Sequence, residues 1–417
     1  MSTDVTADTS VIKALKKMRM PQTQRNREFW LLLFAVAISG ASLTLVQLGA
    51  LGLIDPMILA IGGGLAVLAF AVHFVLRAVA SAADPFILPI ATLLTGLGIA
   101  MIYRIDIAQS LTGWNAYSTK QLAWTAISLA GAIAVVILLR NYRVLFRYTY
   151  IFGLSGILLL LLPFVPGLRI PDANAQVWVS LGGMFAFQPG ELAKICLAIF
   201  FAGYLVRTRE SLTSVGTKFL GITWPRMREL GPVLVVWAIS LGIIVIQRDL
   251  GTGTLIFGMF VAMLYVATGK TSWVLIGLGL VAAGVAVATQ ILSYVQGRFT
   301  NWLFLFDPEK VDPDVAGFQP MQGLFGLAHG GLLGTGWGQG RPEVTPLAHS
   351  DYIITSLGEE IGLIGLFAIL CLYMVFVSRG VRIGLAGQDD FGKLLAIGLS
   401  FTLSLIHISE PTRPERI

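Results

Sequence analysis

Charge is what this sequence has least of. Of its 417 residues only 12% are Asp, Glu, Lys or Arg, against 56% that are hydrophobic. A typical soluble domain carries roughly twice that charged share. The 23 acidic and 29 basic residues cannot hold so much apolar surface in water, which excludes a soluble globular protein. Cysteine is nearly absent: Cys196 and Cys371 both sit in apolar runs, where a thiol behaves as a small hydrophobe. Neither a disulfide framework nor a thiolate metal site is implied. Histidine is also scarce. His73, His329, His349 and His407 are scattered without the helical spacing of a zinc pair, so a protein-held metal centre is not expected.

What the chain has in abundance is apolar runs of about 20 residues, enough to cross a ~30 Å hydrocarbon core. Spans are predicted at about 29–53, 56–79, 85–103, 121–139, 148–168, 186–206, 230–246, 252–268, 272–292 and 350–378, with an eleventh starting near Leu394. The fold class is all-α, a polytopic transmembrane helical bundle with a long extracytoplasmic loop. Residues 1–28 read as a basic tail carrying Lys13, Lys16, Lys17, Arg19, Arg25 and Arg27. No signal-peptide cleavage pattern accompanies it, so the N-terminus is expected in the cytoplasm. Alternation from there gathers Arg140, Arg143, Arg147, Arg207, Arg209, Lys218, Arg226, Arg228, Arg379 and Arg382 on the cytoplasmic side. The net charge of +6 is thus explained by topology and anionic inner-leaflet lipid, with no call on nucleic acid.

Two outer loops are long enough to carry function. The first, about 169–185, contains Asp172, Asn174, Gln176 and Trp178; the second runs from about 293 to 350. Trp302, Phe304, Phe306, Phe318, Phe325 and Trp337 predict order in the second, because disordered segments are poor in aromatics. At the other end, the segment from Leu394 turns polar after about a dozen residues, too soon for a span. Residues 403–417 resemble an in-frame translation of a sequencing adapter, and the native chain is expected to continue past them.

Ionisable groups in or beside spans are expensive and seldom kept without a role. Glu191 and Lys194, in Phe187-Gln188-Pro189-Gly190-Glu191-Leu192-Ala193-Lys194, share a helix face at i and i+3 and can pair. Two readings stand: a packing pair, or a cation offered to an incoming phosphate or carboxylate. Asp249, in Gln247-Arg248-Asp249-Leu250-Gly251-Thr252, is read locally as a helix cap or a polar group at the membrane boundary. Asp351, in His349-Ser350-Asp351-Tyr352-Ile353, sits where the long loop meets the tenth span, and fits either a cap or a catalytic carboxylate facing an outer vestibule. Glu359 and Glu360 argue that this helix lines something polar. The run Gly330-Gly331-Leu332-Leu333-Gly334-Thr335-Gly336-Trp337-Gly338-Gln339-Gly340 lacks the ending of a P-loop, and close turns explain it better than a phosphate cradle. Ser10 and Lys13 match a serine-x-x-lysine pattern without a second motif, a chance match.

In their order these segments resemble the SEDS family (shape, elongation, division and sporulation), the group containing RodA and FtsW. The likeness runs from about Asp84 to Thr402. It rests on Gln176-Val177-Trp178, the Phe187 to Lys194 segment, Asp249-Leu250-Gly251-Thr252, Gly317-Phe318-Gln319, Gln322, Gly334-Thr335-Gly336, His349 to Ile353 and Glu359-Glu360-Ile361-Gly362. Two extra spans at 29–79 precede a core that starts at 84, as in the longer actinobacterial RodA-like members. The resemblance implies a SEDS-type bundle over 29–402 and a peptidoglycan glycosyltransferase, RodA-like and serving elongation rather than division. Its substrate would be lipid II, polymerised at the outer face of the cytoplasmic membrane beside a class B penicillin-binding protein. By motif, Asp351 takes the place of the family's essential outer-loop aspartate, with Glu191, Lys194 and Asp249 lining the central cavity. On that basis Asp351 is assigned as the base. Lys194, Arg298 and Arg341 are assigned to the phosphates, Gln319 and Trp178 to substrate binding, and a divalent cation, Mg or Mn, as an aid. Arg248, Val177 and Gly190 depart from the family's usual proline, arginine and serine. The alternatives from other classes are a lipid II flippase and a non-catalytic scaffold.

Overall fold

The computed structural model describes residues 5–409 apart from 140, 169–176, 182–184, 214–217, 220–221, 224–234, 236–237, 240–241, 244, 248, 308 and 312–316. Most of the predicted 230–246 span, most of the first outer loop, Arg226, Arg228 and Arg248 lie outside these residues. Among the described residues eight helices are long and apolar enough to cross a membrane: Gln24–Leu51, Ile58–Val79, Ile87–Ala108, Tyr117–Leu138, Pro189–Glu210, Gly251–Thr268, Ser272–Ile291 and Ile353–Ala386. A shorter apolar helix occupies Thr149–Phe164, and a further helix spans Asp390–Ser409. The protein is a multi-pass membrane protein of all-α class.

The first helix differs from the expected tail and span. It runs unbroken over Val5–Leu51, so the basic segment is helical and continuous with the first apolar run. Within it Arg25 and Glu28 are buried and paired, and His73 Nδ1 lies 2.7 Å from Glu28 Oε1. Arg25 also donates to the Ala83 carbonyl. A charged stretch can enter a packed interior when its charges meet each other there.

The chain forms two compact units, one of residues 1–140 with 322–379, the other of 141–321 with 380–417. In the first unit Leu43, Ile61, Leu65, Ile99 and Ala100 join the first three spans, while Met101, Ile105, Ala348 and Leu357 pack the third span on the segment carrying Asp351. Asp84 Oδ1 accepts the Phe86 amide at 2.9 Å and starts the Ile87–Ala108 helix. The Tyr117–Leu138 helix fully buries Ser118 alone and sets Leu122, Leu129 and Ile133 against the unit's apolar core, while exposed Ile127, Val135, Ile137 and Leu138 fit contact with lipid tails.

The second unit is built on Leu160, Phe200, Phe201, Met259, Phe260 and Leu394. Thr149–Leu161 and Pro189–Thr213 approach so closely that a Cβ on Gly203 would overlap the Thr149 hydroxyl, the small-residue packing typical of membrane helices. Between them the sequence expectation of a span from 186 gives way to a hairpin: Val179–Leu181 pairs antiparallel with Phe185–Phe187, Val179 opposite Phe187. At the far side of this unit the Tyr142 hydroxyl donates to Asp389. That bond, with partial desolvation behind it, holds the Tyr142 phenol above its ordinary pKa.

Candidate active site

The first unit carries Asp351 on a backbone of unusual construction. Gly362 breaks the Ile353–Ala386 helix with φ +70° and ψ 178°, a region essentially reserved for glycine. The break strips helical partners from the groups around it, and the glycine-rich segment supplies replacements. Thr335 and Gly336 donate to the Glu359 and Glu360 carbonyls, both at 2.9 Å, while the Leu363 and Ile364 amides donate to the Gly331 and Leu332 carbonyls at 3.0 and 3.1 Å. The glycine run therefore spends its backbone on patching a helix. Unsatisfied backbone groups at membrane depth cost several kcal/mol each, which is why such a patch is needed.

Side chains fasten the same junction. Arg104 Nε donates to Glu360 Oε1 at 3.1 Å and its Nη2 to the Gly340 carbonyl at 2.7 Å. Glu360 Oε2 accepts the Gly338 amide at 2.9 Å. Glu359 Oε1 accepts the Arg341 amide at 2.9 Å and lies at the same distance from His329 Nδ1. Both glutamates are buried. They hold the Gly338 and Arg341 amides of the loop together with the Arg104 and His329 side chains.

Asp351 follows in a tight turn where Ser350 and Tyr352 both donate to the Leu347 carbonyl, at 3.0 and 3.3 Å. It is partly buried, two residues ahead of Ile353. Arg341 is exposed, and its amide joins the junction at Glu359.

In the second unit two helix starts meet. Lys194 Nζ donates to Glu191 Oε1 at 2.7 Å, the lysine side chain 4% exposed and the glutamate 47%. Asp249 is buried and caps the Leu250–Thr268 helix, accepting the Thr252 amide at 3.2 Å. Gln188 Nε2 donates to the other Asp249 oxygen at 3.4 Å, so the two motifs are joined through Gln188. Trp178 is half-buried between buried Val177 and Val179, at the entry to the hairpin. Gln319 lies half-buried in the first turn of Phe318–Gly330, and Arg298 is exposed on Ser293–Leu303. Among the described residues no group of three or more His, Cys, Asp or Glu is placed to hold a metal ion.

Sequence reasoning passed over Arg104, Asp106 and Tyr117. Asp106 is buried and accepts the Tyr117 and Ser118 amides, both at 2.8 Å. The Tyr117 ring stacks on His349, centroids 3.9 Å apart and planes 10° from parallel. The signal was present: Arg104 and Asp106 are ionisable residues inside an apolar run, the kind expected to matter.

A family model described as "Cell cycle protein", covering FtsW, RodA and SpoVE, matches residues 85–409. The chain is 42% identical over 386 residues to the peptidoglycan glycosyltransferase RodA of Mycobacterium tuberculosis strain H37Rv, covering 92% of this chain and 81% of that protein. It is 30% identical over 329 residues to the probable peptidoglycan glycosyltransferase FtsW of Geobacter sp. strain M18, covering 77% of this chain and 84% of that protein. A crystal structure of the Thermus thermophilus rod shape determining protein RodA is similar at TM-score 0.43 and 19% identity, covering 84% of this chain and 82% of that one. The chain belongs to the FtsW/RodA/SpoVE family of cell cycle proteins.

Proposed function

We propose that this protein is a RodA-like peptidoglycan glycosyltransferase that polymerises lipid II at the outer face of the cytoplasmic membrane, with its N-terminus inside and a class B penicillin-binding protein as partner. The observation that carries the reading is 42% identity to a RodA over nine-tenths of the chain, against 30% to an FtsW.

In this reading Asp351 takes the proton from the acceptor sugar hydroxyl. That oxygen then bonds to the donor's anomeric carbon, and the bond to the lipid pyrophosphate breaks. Lys194 meets the charge that develops on the departing phosphates; its ammonium is nearly desolvated, where a cation acts more strongly than in water. Glu191 holds that ammonium, and Asp249 fixes the neighbouring helix start. Arg298 and Arg341, both exposed, add cations at the periphery, and Gln319 and Trp178 contact the sugars. A divalent cation, Mg or Mn, would sit with the substrate's phosphates and help to neutralise them.

The test uses purified lipid II and the partner penicillin-binding protein, with glycan polymer resolved on a gel. The parent makes polymer, and Asp351→Ala lowers the rate by ~10²–10⁴-fold at unchanged thermal stability. Polymer from both at equal rates removes Asp351 as the base. No polymer from either, with lipid II transport across vesicles intact, turns the reading to a flippase. Shape rescued equally by parent and variant in a depleted strain turns it to a scaffold.

A further inference from the structure

Asp351 sits in a turn whose own backbone is under tension. Leu347 holds φ +56°, a left-handed conformation that a leucine keeps only where its surroundings impose it. Ala348 beside it is buried, and its carbonyl accepts the Ser356 hydroxyl at 3.4 Å. These contacts fix the start of the turn. On the side of Asp351 the adjoining support is the ring of His349, stacked flat on Tyr117.

Tyr117 is itself immobilised. Its amide and that of Ser118 end on the two oxygens of buried Asp106, so the first turn of the Tyr117–Leu138 helix is tied to the end of Ile87–Ala108. Lys120, one turn on, places its ammonium 5.7 Å from the Tyr117 ring. The stack thus joins the ring of a residue whose backbone is tied to Asp106 to a ring two residues from the carboxylate. All of these residues belong to the first compact unit.

We infer that Tyr117 is a positioning residue for the Asp351 carboxylate, acting through the ring of His349. The role in catalysis rests on the glycosyltransferase reading; the ordering of the turn does not. A base displaced by about 1 Å from its acceptor loses on the order of 10²-fold in rate, and aromatic stacking is a geometric constraint strong enough to set such a position.

Two measurements test this on the full chain with its partner. In the first, Tyr117→Ala lowers kcat for lipid II polymerisation by ~10–100-fold with KM within about twofold of the parent, and Tyr117→Phe, which keeps the ring, restores kcat. On a His349→Ala background Tyr117→Ala adds little further loss. Equal loss in the Ala and Phe variants, or a loss confined to KM, overturns the inference. In the second, Cys196 and Cys371 are replaced by Ser and a nitroxide is placed at Ser350→Cys. Tyr117→Ala sharpens its spectrum and Tyr117→Phe leaves it broad. If the parent forms no polymer, the glycosyltransferase reading fails, and the spectrum still decides whether Tyr117 orders the turn. A spectrum unmoved by Tyr117→Ala overturns that ordering.

Discussion

Lys194 puts the residue scale to its hardest test, because a packing pair and a substrate-binding cation look alike in sequence. The i, i+3 spacing was enough to foresee the Glu191 contact, since helix geometry alone decides it. Its asymmetry, a buried ammonium against a half-exposed carboxylate, was not legible, because burial depends on elements distant in sequence. Removing a buried charge whose partner can reach water leaves no stranded ion, and such replacements are often neutral or stabilising. Lys194→Met is therefore expected to keep or raise Tm in detergent while lowering lipid II polymerisation at least ~10-fold. A variant of unchanged activity assigns the lysine to packing. Asp249 was legible as a cap for the same local reason, and its link to Gln188 was not, the two lying 61 positions apart.

Among the elements, the broken helix is the one the sequence concealed. Gly358, Gly362 and Gly365 fall within an apolar run that reads as an uninterrupted span. Only the glycine-rich partner segment, whose backbone bonds to this helix reach across 24 to 32 positions, reveals which of them bends the chain. Gly362→Ala forces a Cβ into a glycine-only backbone region, where it would also overlap the Gly334 amide. A loss of stability of at least about 1–3 kcal/mol is expected, read as a lower Tm together with reduced polymerisation. The hairpin was within reach of sequence reasoning. Val179 and Leu181 alternate, Gly182 and Gly183 offer a turn, and Phe185 and Phe187 alternate again, the pattern of two short paired strands. The apolar run hides this period, and the helix starts at Pro189, beyond the paired strands.

For the whole molecule, the two N-terminal spans pose the question of what an addition to a family core does. The family model begins at residue 85, yet the spans before it pack into the same compact unit as Asp351. The match to the mycobacterial relative covers more of this chain than the Geobacter match, 92% against 77%, so part of the extension goes with the former. What ties it down is the buried trio of Arg25, Glu28 and His73, with Arg25 reaching the Ala83 carbonyl at the threshold of the core. Helical class was legible from composition and run length. This trio was not, because Glu28 and His73 stand 45 positions apart and Arg25 reads as one more cytoplasmic charge. Glu28→Gln leaves the Arg25 guanidinium buried without a counter-charge, and a loss of ~3–5 kcal/mol is expected in thermal unfolding. Replacing all three by Leu or Met should return most of it; a Glu28→Gln protein as stable as the parent contradicts the account.

The Tyr117–Leu138 helix, which fully buries Ser118 alone, has a consequence for how much of this sequence is information. Its outward residues, Ile127, Val135, Ile137 and Leu138 among them, answer to the bilayer as a solvent, which reads only length and polarity, while Leu122, Leu129 and Ile133 answer to neighbouring side chains. Those exposed positions could be recoded with any apolar residues of good helix propensity and still be understood by the membrane, whereas Tyr117, Ser118, Leu122, Leu129 and Ile133 carry a message addressed to the protein.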